Sequence, residues 1–199
     1  MKLICSDLEG VFIPEIWINV AEKTGIDELK LTTRDIQDYD VLMKKRLSFL
    51  KKHNLKINDI TSVIEKMDPL PGAFNFLSWL KSKAPVIIVS DTFYEFAGPL
   101  MEKLDWPALF CHSLKIENNG IISDYKLRQK DAKRKTVMAL KQLKYKIIAF
   151  GDSYNDISML KEADTGFLFN PPLNVIKDFP EFKTTYNYEE LKKAIKKAL

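Results

Sequence analysis

The fold is decided by the stretch Lys2-Leu3-Ile4-Cys5-Ser6-Asp7-Leu8-Glu9-Gly10-Val11 at the start of the chain. Its first part, Lys2–Ser6, is short and apolar, which is typical of a strand buried on both faces of a parallel sheet. Two carboxylates follow at once, Asp7 and Glu9, and Gly10 then permits a backbone turn that a side chain would obstruct. The stretch therefore predicts a buried strand that ends in acidic side chains.

Three further runs repeat this strand pattern along the chain. They are Pro85–Ser90, Lys146–Phe150 and Thr165–Phe169. Amphipathic helical segments separate the runs: one opens at Pro71-Gly72 with Phe74, Leu77 and Leu80 on one side, one spans residues 133–143, and one follows Asp152. Strands that alternate with helices predict an α/β fold, with a Rossmann-like, doubly wound parallel sheet as its core.

The segment between the first strand and Pro71 carries no strand pattern. It predicts three helices instead, from Pro14 to Gly25, over residues 35–53 and over residues 59–67. Proline in the first turn and glycine just past the last turn suit the ends of the first helix. We expect residues 14–69 to form an inserted helical cap, and residues 1–13 and 70–199 to form the catalytic core.

A β-hairpin is predicted later in the chain. Residues Phe110–Glu117 and Ile121–Leu127 alternate in polarity around Asn118-Asn119-Gly120, and these turn residues are the ones that tight hairpins favour. The sequence contains no internal repeat and no segment of low complexity.

Polar side chains follow each of the first three predicted strands. Asp7 and Glu9 follow the first, Ser90 and Asp91 the second, and Asp152, Asn155 and Asp156 the third. Ligands of open parallel sheets bind at the carboxyl ends of the strands. Acids that converge there repel one another unless a cation joins them. The pattern predicts a divalent-metal site that includes Asp7, Glu9, Asp152 and Asp156.

Each of these residues also has a simpler explanation when taken alone. Asp152 and Asp156 suit a helix N-terminus, where acids compensate the helix dipole. Ser90 suits a helix cap as well as the binding of a phosphoryl oxygen. A lysine could neutralise a phosphoryl group, and Lys133 and Lys130 are both candidates for that role.

Arg46 is the most informative residue of the helical segment. It shares one helical face with Tyr39, Met43 and Leu50, and a charge on an apolar face is unfavourable without a partner. A substrate carboxylate is a good bidentate partner for a guanidinium group, although an arginine at the edge of such a face can also reach water. Glu15 is less informative, since acids are favourable in any first helical turn.

Composition excludes several classes of protein. The chain has 199 residues, 46% of them hydrophobic, and a formal net charge of only +4, which argues against a nucleic-acid-binding protein. Its two cysteines, Cys5 and Cys111, have no metal-type spacing and suit buried, reduced thiols. The first apolar run is too short for a signal peptide and no run is long enough to span a membrane. We expect a cytoplasmic protein with small-molecule partners, no membrane and no nucleic acid, either a monomer or a homodimer.

Four segments in order resemble the motifs of the haloacid dehalogenase-like superfamily. These are Asp7-Leu8-Glu9-Gly10-Val11, Ser90, Lys133 and Gly151-Asp152-Ser153-Tyr154-Asn155-Asp156. The helical insertion resembles the phosphoserine phosphatase branch of that superfamily. The resemblance extends over essentially the whole chain. It is greatest to the bifunctional enzymes of this branch that also transfer the phosphoryl group from phosphoserine to homoserine.

The resemblance implies a role for each candidate residue. Asp7 would be the nucleophile that forms an aspartyl-phosphate, and Glu9 the general acid and base. Mg²⁺ would be held by Asp7, the backbone carbonyl of Glu9 and Asp152, with help from Asp156. The residues implied in substrate binding are Glu15, Arg46, Ser90, Asp91, Lys133 and Asn155. Most phosphatases of the superfamily carry aspartate where this chain has Glu9, whereas the bifunctional enzymes share the glutamate.

The resemblance therefore implies a Mg²⁺-dependent phosphoserine phosphatase that also transfers the phosphoryl group to homoserine. Two alternatives stay open. One is a phosphatase for another small phosphate ester, although Glu15 and Arg46 suit an α-amino acid better than a sugar. The other is a non-enzymatic aspartate phospho-switch, against which the helical insertion argues. The chain contains neither G-x-x-x-x-G-K-[ST] nor G-x-G-x-x-G, and no G-x-S-x-G hydrolase motif.

Overall fold

The computed structural model describes residues 1–33, 35–36 and 38–199. Within this part of the chain, seven strands form one sheet in the order β4-β3-β2-β1-β5-β6-β7. The strands are β1 (Lys2–Ser6), β2 (Val86–Phe93), β3 (Ala108–Ile116), β4 (Ile122–Lys126), β5 (Lys146–Gly151), β6 (Thr165–Phe169) and β7 (Lys183–Thr185). The α-helices are α1 (Ile16–Thr24), α2 (Tyr39–Lys52), α3 (Ile57–Ile64), α4 (Ala73–Lys81), α5 (Tyr94–Lys103), α6 (Ala132–Gln142), α7 (Ile157–Glu162), α8 (Leu173–Asp178) and α9 (Tyr188–Ala198).

Strand β1 lies at the centre of the sheet, parallel to β2 on one side and to β5 on the other. Its side chains alternate between two hydrophobic clusters: Ile4 belongs to one, and Leu3 and Cys5 belong to the other. A strand with apolar contacts on both faces lies between two layers of helices. The predicted doubly wound α/β core is therefore confirmed. Since β1 is central, the residues that follow it lie in the middle of the sheet's carboxyl edge.

Strand β2 is longer than predicted. It continues past Ser90 to Phe93, and its pairing with β3 is irregular between Val89 and Phe93. The following helix α5 begins only at Tyr94. The alternative that Ser90 caps a helix is therefore wrong, because Ser90 and Asp91 lie within an irregular part of a strand.

The predicted hairpin is confirmed as the antiparallel pair β3 and β4. Gly120 in its turn has a φ of 85°, a conformation that glycine adopts without strain. Strand β3 also pairs with β2, so the hairpin extends the main sheet at one end. The turn contacts the helical segment as well, because the backbone N–H of Ile57 donates to the carbonyl of Gly120 at 2.9 Å.

The three helices predicted between β1 and Pro71 are present, with shifted starts. Helix α1 ends at Gly25 in a left-handed conformation, as predicted, and begins at Ile16 rather than Pro14. Helix α2 was expected from residue 35, yet it begins at Tyr39, because the Asp38 side chain accepts from the N–H groups of residues 40 and 41 and caps it. One residue of the expected start, Gln37, lies outside the described part. Helix α3 spans Ile57–Ile64 rather than residues 59–67.

The predicted apolar face of α4 is partly wrong. Leu77 and Leu80 are buried, but Phe74 is 50% exposed and Phe76 is buried instead. At 3.6 residues per turn, Phe76 lies beside both Leu77 and Leu80, whereas Phe74 is adjacent only to Leu77 and lies at the edge of the buried face. No helix in the part of the chain that the structure describes is long and apolar enough to cross a membrane.

Candidate active site

Asp7 lies directly after the central strand and is almost fully buried. One carboxylate oxygen accepts the backbone N–H of Leu8 at 2.7 Å. The other lies 2.8 Å from the ammonium nitrogen of Lys133, which is itself 3% exposed. The carboxylate is thus held in a fixed orientation at the middle of the sheet's carboxyl edge.

Three buried carboxylates meet at this point. Asp7, Asp152 and Asp156 each offer an oxygen, and these oxygens lie within 4.8 Å of one another. Burial and the charges of Asp156 and Asp152 raise the pKa of Asp7 well above its usual range, although Lys133 acts in the opposite direction. The trio therefore carries more negative charge than one lysine compensates.

Two glycines make this close approach possible. A Cβ atom on Gly10 would lie 2.6 Å from a carboxylate oxygen of Asp152. A Cβ atom on Gly151 would lie 2.2 Å from the carboxyl carbon of Asp156. Any side chain at either position would displace an acid of the trio, so the glycines of both motifs are required by packing.

Two explanations for Asp156 stayed open from the sequence, a role at a helix N-terminus and a place in an acidic cluster, and the structure shows both. Asp156 is fully buried, and its Oδ2 accepts the backbone N–H groups of Asp152 at 2.9 Å and Ser153 at 3.2 Å. Its Oδ1 accepts from the Lys133 ammonium at 2.7 Å. Asp156 thus caps the turn after β5 and belongs to the acidic trio at the same time.

Lys133, not Lys130, is the lysine that contacts Asp7. Its ammonium also lies 3.7 Å from Asp91. Burial opposes the charge of Lys133, but Asp156, Asp7 and Asp91 outweigh this effect and raise the pKa of the ammonium. The surrounding carboxylates therefore favour the charged form of Lys133. Lys130 is exposed and lines a neighbouring cavity.

Glu9 lies beside the trio without joining it. Its Oε2 accepts the backbone N–H of Ile16 at 2.8 Å, at the start of α1. Burial and the nearby charge of Glu15 raise the pKa of Glu9 to about 8, with the Ile16 hydrogen bond and Arg46 acting in the opposite direction. A carboxyl group with this pKa is mostly protonated at neutral pH, so it can donate a proton.

Arg46 is 7% exposed, which excludes the alternative that its guanidinium reaches water. Nη2 donates to the carbonyl of Leu31 at 2.8 Å, and the guanidinium lies 4.7 Å from the centre of the Trp17 ring. Nε has no hydrogen-bond partner among the described residues. Burial lowers the pKa of Arg46 to about 10, a value at which it is still charged at neutral pH. A buried cation with an unused donor suits a bidentate anion.

These side chains line one small chamber of about 70 Å³ between the sheet edge and the helical segment. Eight of the ten predicted site residues line it: Asp7, Glu9, Glu15, Arg46, Ser90, Asp91, Asp152 and Asn155. The other two, Lys133 and Asp156, bind each other directly beside Asp7. All the predicted residues are thus brought together.

Among the residues that were not predicted as part of the site, Trp17 and Tyr39 line the chamber and His112 borders the adjoining cavity. Trp17 lies under Arg46. The Tyr39 hydroxyl donates to the backbone carbonyl of Asp91 at 2.8 Å, which ties α2 to β2. His112 lies 3.4 Å from Asp91. Only Tyr39 gave a signal in the sequence, because it shares the helical face of Arg46.

Comparisons with known proteins agree with this geometry. A family model described as haloacid dehalogenase-like hydrolase matches residues 1–164. The chain is 56% identical over 198 residues to phosphoserine phosphatase ThrH of Pseudomonas aeruginosa, a match that covers 100% of this chain and 97% of that protein. It is 54% identical to a phosphoserine phosphatase of Pseudomonas syringae pv. tomato, covering 100% of this chain and 84% of that protein.

Solved structures share the fold at lower identity. An apo phosphoserine phosphatase superposes with a TM-score of 0.79 at 23% identity, covering 98% of each chain. A phospho-aspartyl intermediate analogue of phosphoserine phosphatase superposes with a TM-score of 0.77 at 23% identity, covering 98% of this chain and 97% of that one. The matched family model and the relatives that are more than half identical lead to one conclusion: the chain belongs to the haloacid dehalogenase-like hydrolase family.

Proposed function

We propose that this protein is a Mg²⁺-dependent phosphoserine phosphatase that acts through an aspartyl-phosphate on Asp7 and also transfers the phosphoryl group to homoserine. The observation that carries the proposal is the buried Asp7 carboxylate, held against Lys133 at 2.8 Å, in a chamber that also contains a buried arginine. The full-length relatives named phosphoserine phosphatase support the choice of substrate.

The first step is attack by Asp7 on phosphorus. Its position directly after β1, with one oxygen held by the N–H of Leu8, leaves the carboxylate oriented for an in-line approach. Lys133 offsets the repulsion between an anionic nucleophile and an anionic phosphate ester. The Ser90 hydroxyl lies in the wall of the same chamber and can donate to a phosphoryl oxygen. A covalent intermediate divides one difficult displacement into two easier ones.

The acidic trio suits Mg²⁺. Three buried carboxylate oxygens within 4.8 Å of one another are the hard oxygen donors that this ion prefers, and the raised pKa of Asp7 shows the negative charge that a cation would relieve. We propose that Asp7, Asp152 and the backbone carbonyl of Glu9 hold the ion, and that Asp156 supports them. When bound, Mg²⁺ neutralises charge that develops on the phosphoryl oxygens.

Glu9 is the proposed acid and base. With a pKa of about 8, it is protonated when phosphoserine binds and can deliver that proton to the departing serine oxygen. It is then a carboxylate, which can accept a proton from the hydroxyl that attacks the intermediate. Water as acceptor gives free phosphate, and the hydroxyl of homoserine gives phosphohomoserine.

Arg46 and Glu15 are the proposed readers of the amino acid. Arg46 lines the chamber and has an unused Nε donor, and the chamber wall also contains the Glu15 carboxylate. A guanidinium suits a substrate carboxylate, and a carboxylate suits a substrate ammonium group. We propose that residues 14–69, which include Arg46 and Glu15, form a cap that closes the chamber over the substrate. The hydrogen bond from Tyr39 to the backbone carbonyl of Asp91 is one contact that holds this cap against the core.

The direct test is incubation of the protein with phosphoserine and Mg²⁺, with and without homoserine, followed by measurement of phosphate and phosphohomoserine. We expect phosphate release without homoserine, and phosphohomoserine at the expense of phosphate when homoserine is present. Phosphate release that homoserine does not change would leave a phosphatase without transferase activity. No turnover of phosphoserine in either sample would contradict the proposed substrate.

Replacing Arg46 by lysine tests the carboxylate reader. Arg46→Lys keeps the charge but loses the planar fork of donors. We expect KM for phosphoserine to rise by about 10- to 100-fold, as for the loss of a charged hydrogen bond. KM for p-nitrophenyl phosphate, which has no carboxylate, should change much less. Lys45→Ala, at an exposed neighbouring position, is the control. An equal effect on both substrates would argue against this role.

The pH dependence of activity tests Glu9. Because its pKa is raised to about 8, the protonated form that donates to the leaving oxygen is present below that pH and is lost as pH rises through it. We expect kcat/KM for phosphoserine to fall above pH about 8, by about tenfold per pH unit. Glu9→Gln should have much lower activity, and its kcat/KM should not fall in this way above pH about 8. Since p-nitrophenolate leaves without a proton, kcat/KM of the wild type for p-nitrophenyl phosphate should also show no fall above pH about 8.

A further inference from the structure

His112 is a buried polar residue to which the proposed mechanism gives no function. It lies in β3, is 3% exposed, and borders a cavity of about 470 Å³ next to the chamber. The rings of Tyr39 and Phe93 lie 6.1 and 6.4 Å from its ring. A buried imidazole keeps a defined orientation only when its two nitrogens have suitable partners.

The partners of His112 define its tautomer. The backbone N–H of Arg128 donates to Nδ1 at 3.2 Å, so Nδ1 is the acceptor and carries no proton. The remaining proton is therefore on Nε2, which lies 3.4 Å from Oδ1 of Asp91. In this tautomer the protonated Nε2 is the nitrogen beside the Asp91 carboxylate, at a distance longer than an ordinary hydrogen bond.

Asp91 connects this imidazole to the site. Its Oδ2 accepts the side-chain amide of Asn155 at 2.9 Å and lies 3.7 Å from the Lys133 ammonium. Although burial opposes it, the charge of Lys133 and the hydrogen bonds from His112 and Asn155 lower the pKa of Asp91. The Asp91 carboxylate is thus shared between Lys133, which contacts Asp7, Asn155 of the chamber wall and the imidazole of His112.

Arg128 fixes the other side of the imidazole. Its guanidinium donates to the Thr136 hydroxyl at 2.6 Å and to the carbonyl of Ala132 at 3.3 Å. Both acceptors lie in the first turns of α6, which also carries Lys133. His112 therefore lies between two groups. One is Arg128, which holds the start of α6, and the other is the Asp91 carboxylate, which lies near Lys133.

We propose that His112 is a positioning residue for phosphoryl transfer. In the Nε2–H tautomer it holds the carboxylate of Asp91, which in turn orients Lys133 toward Asp7 and holds Asn155 in the chamber wall. The proposal rests on the proposed function, because it assigns His112 to the same phosphoryl site. Some groups act by orienting the residues that contact a reacting centre. Their removal typically lowers activity by about tenfold or more.

Chemical rescue tests the proposal, because His112 borders the larger cavity. His112→Ala should lower kcat/KM by on the order of tenfold, and added imidazole should restore much of this loss by occupying the vacated space. N-methylimidazole has an acceptor nitrogen but no N–H and should not rescue. His112→Gln, which keeps a donor near the Nε2 position, should retain more activity than His112→Leu. Wild type and His112→Leu, assayed with the same additives, control for effects of imidazole elsewhere.

Two results would overturn the proposal. One is rescue of His112→Ala by N-methylimidazole as efficiently as by imidazole, because this would mean that only the space is filled. The other is wild-type activity of His112→Leu. Assays with both phosphoserine and p-nitrophenyl phosphate separate this proposal from the proposed function. If the wild type hydrolyses p-nitrophenyl phosphate but not phosphoserine, the proposed substrate is wrong, and the rescue test can still be made with p-nitrophenyl phosphate.

Nitrogen-15 NMR tests the tautomer without any turnover. The chain has only two histidines, so the His112 signals are assigned by their loss in His112→Gln. We expect an unprotonated Nδ1 and a protonated Nε2 in the wild-type protein, and a shift of the Nε2 signal in Asp91→Asn. A protonated Nδ1 would contradict the hydrogen-bond arrangement and with it the proposal.

Discussion

Asp7→Asn should abolish turnover of phosphoserine. The amide is not a nucleophile and cannot form an acyl phosphate, so we expect kcat to fall by on the order of 10⁴-fold or more, as when other catalytic nucleophiles are removed. The variant should still fold, because asparagine has the same shape and removes one of three mutually repelling charges. Phosphate release from phosphoserine, with circular dichroism as a check of folding, measures both expectations.

The control for this variant is another aspartate in an ion pair. Asp68 pairs with Lys103 at 3.0 Å, with its side chain 85% exposed, and Asp68→Asn should leave kcat unchanged. If Asp7→Asn kept more than a few per cent of wild-type activity, Asp7 would not be the nucleophile.

Lys133→Met should impair both activity and stability. The ammonium compensates Asp7 and Asp156 at 2.8 and 2.7 Å, and removing one partner of a buried charge cluster costs about 3–5 kcal/mol. We expect the free energy of unfolding to fall by about this amount without Mg²⁺. We expect kcat/KM to fall by on the order of 10³-fold, since a positioned charge stabilises the transferring phosphoryl group.

Mg²⁺ provides a second measurement on the same variant. An ion bound by the trio replaces part of the lost positive charge, so Mg²⁺ should stabilise Lys133→Met more than it stabilises the wild type. Lys130→Met, at the exposed lysine of the adjoining cavity, should resemble the wild type in urea unfolding and in phosphate release. Equal effects of the two substitutions would contradict the distinction between these lysines.

The sequence predicted the sheet core and the position of its acids for a local reason. Strands buried on both faces have short apolar runs, and the bounds predicted for β1 and β6 agree with those observed. The carboxyl ends of parallel strands share one edge, so Asp7 and Asp152 could be brought together without knowledge of any contact. The choice of Lys133 over Lys130, and the roles of Asp7 and Glu9 in catalysis, came from the resemblance to the superfamily.

The features that were missed depend on contacts between distant segments. Strand β2 continues past Ser90 because β3 pairs with it on both sides of an irregularity. The contact of His112 with Asp91 depends on the same pairing, since Phe93 pairs with His112. The start of α2 was placed too early, although Asp38 is a good cap, because Asp35 lies on the same helical pattern. The sequence pattern does not distinguish Phe74 from Phe76, because Phe74 lies three residues before Leu77 at the edge of the face that Phe76 shares.

In the proposed mechanism, Asp7 carries the phosphoryl group between donor and acceptor. The most direct measurement is an acid quench during turnover of phosphoserine with Mg²⁺, followed by borohydride reduction and mass spectrometry of the peptide that contains residue 7. Reduction converts an aspartyl-phosphate to homoserine, so we predict homoserine at position 7, dependent on phosphoserine and Mg²⁺ and decreased when homoserine is added as acceptor. Steady turnover with an unmodified Asp7, or with the modification on another residue, would contradict this account.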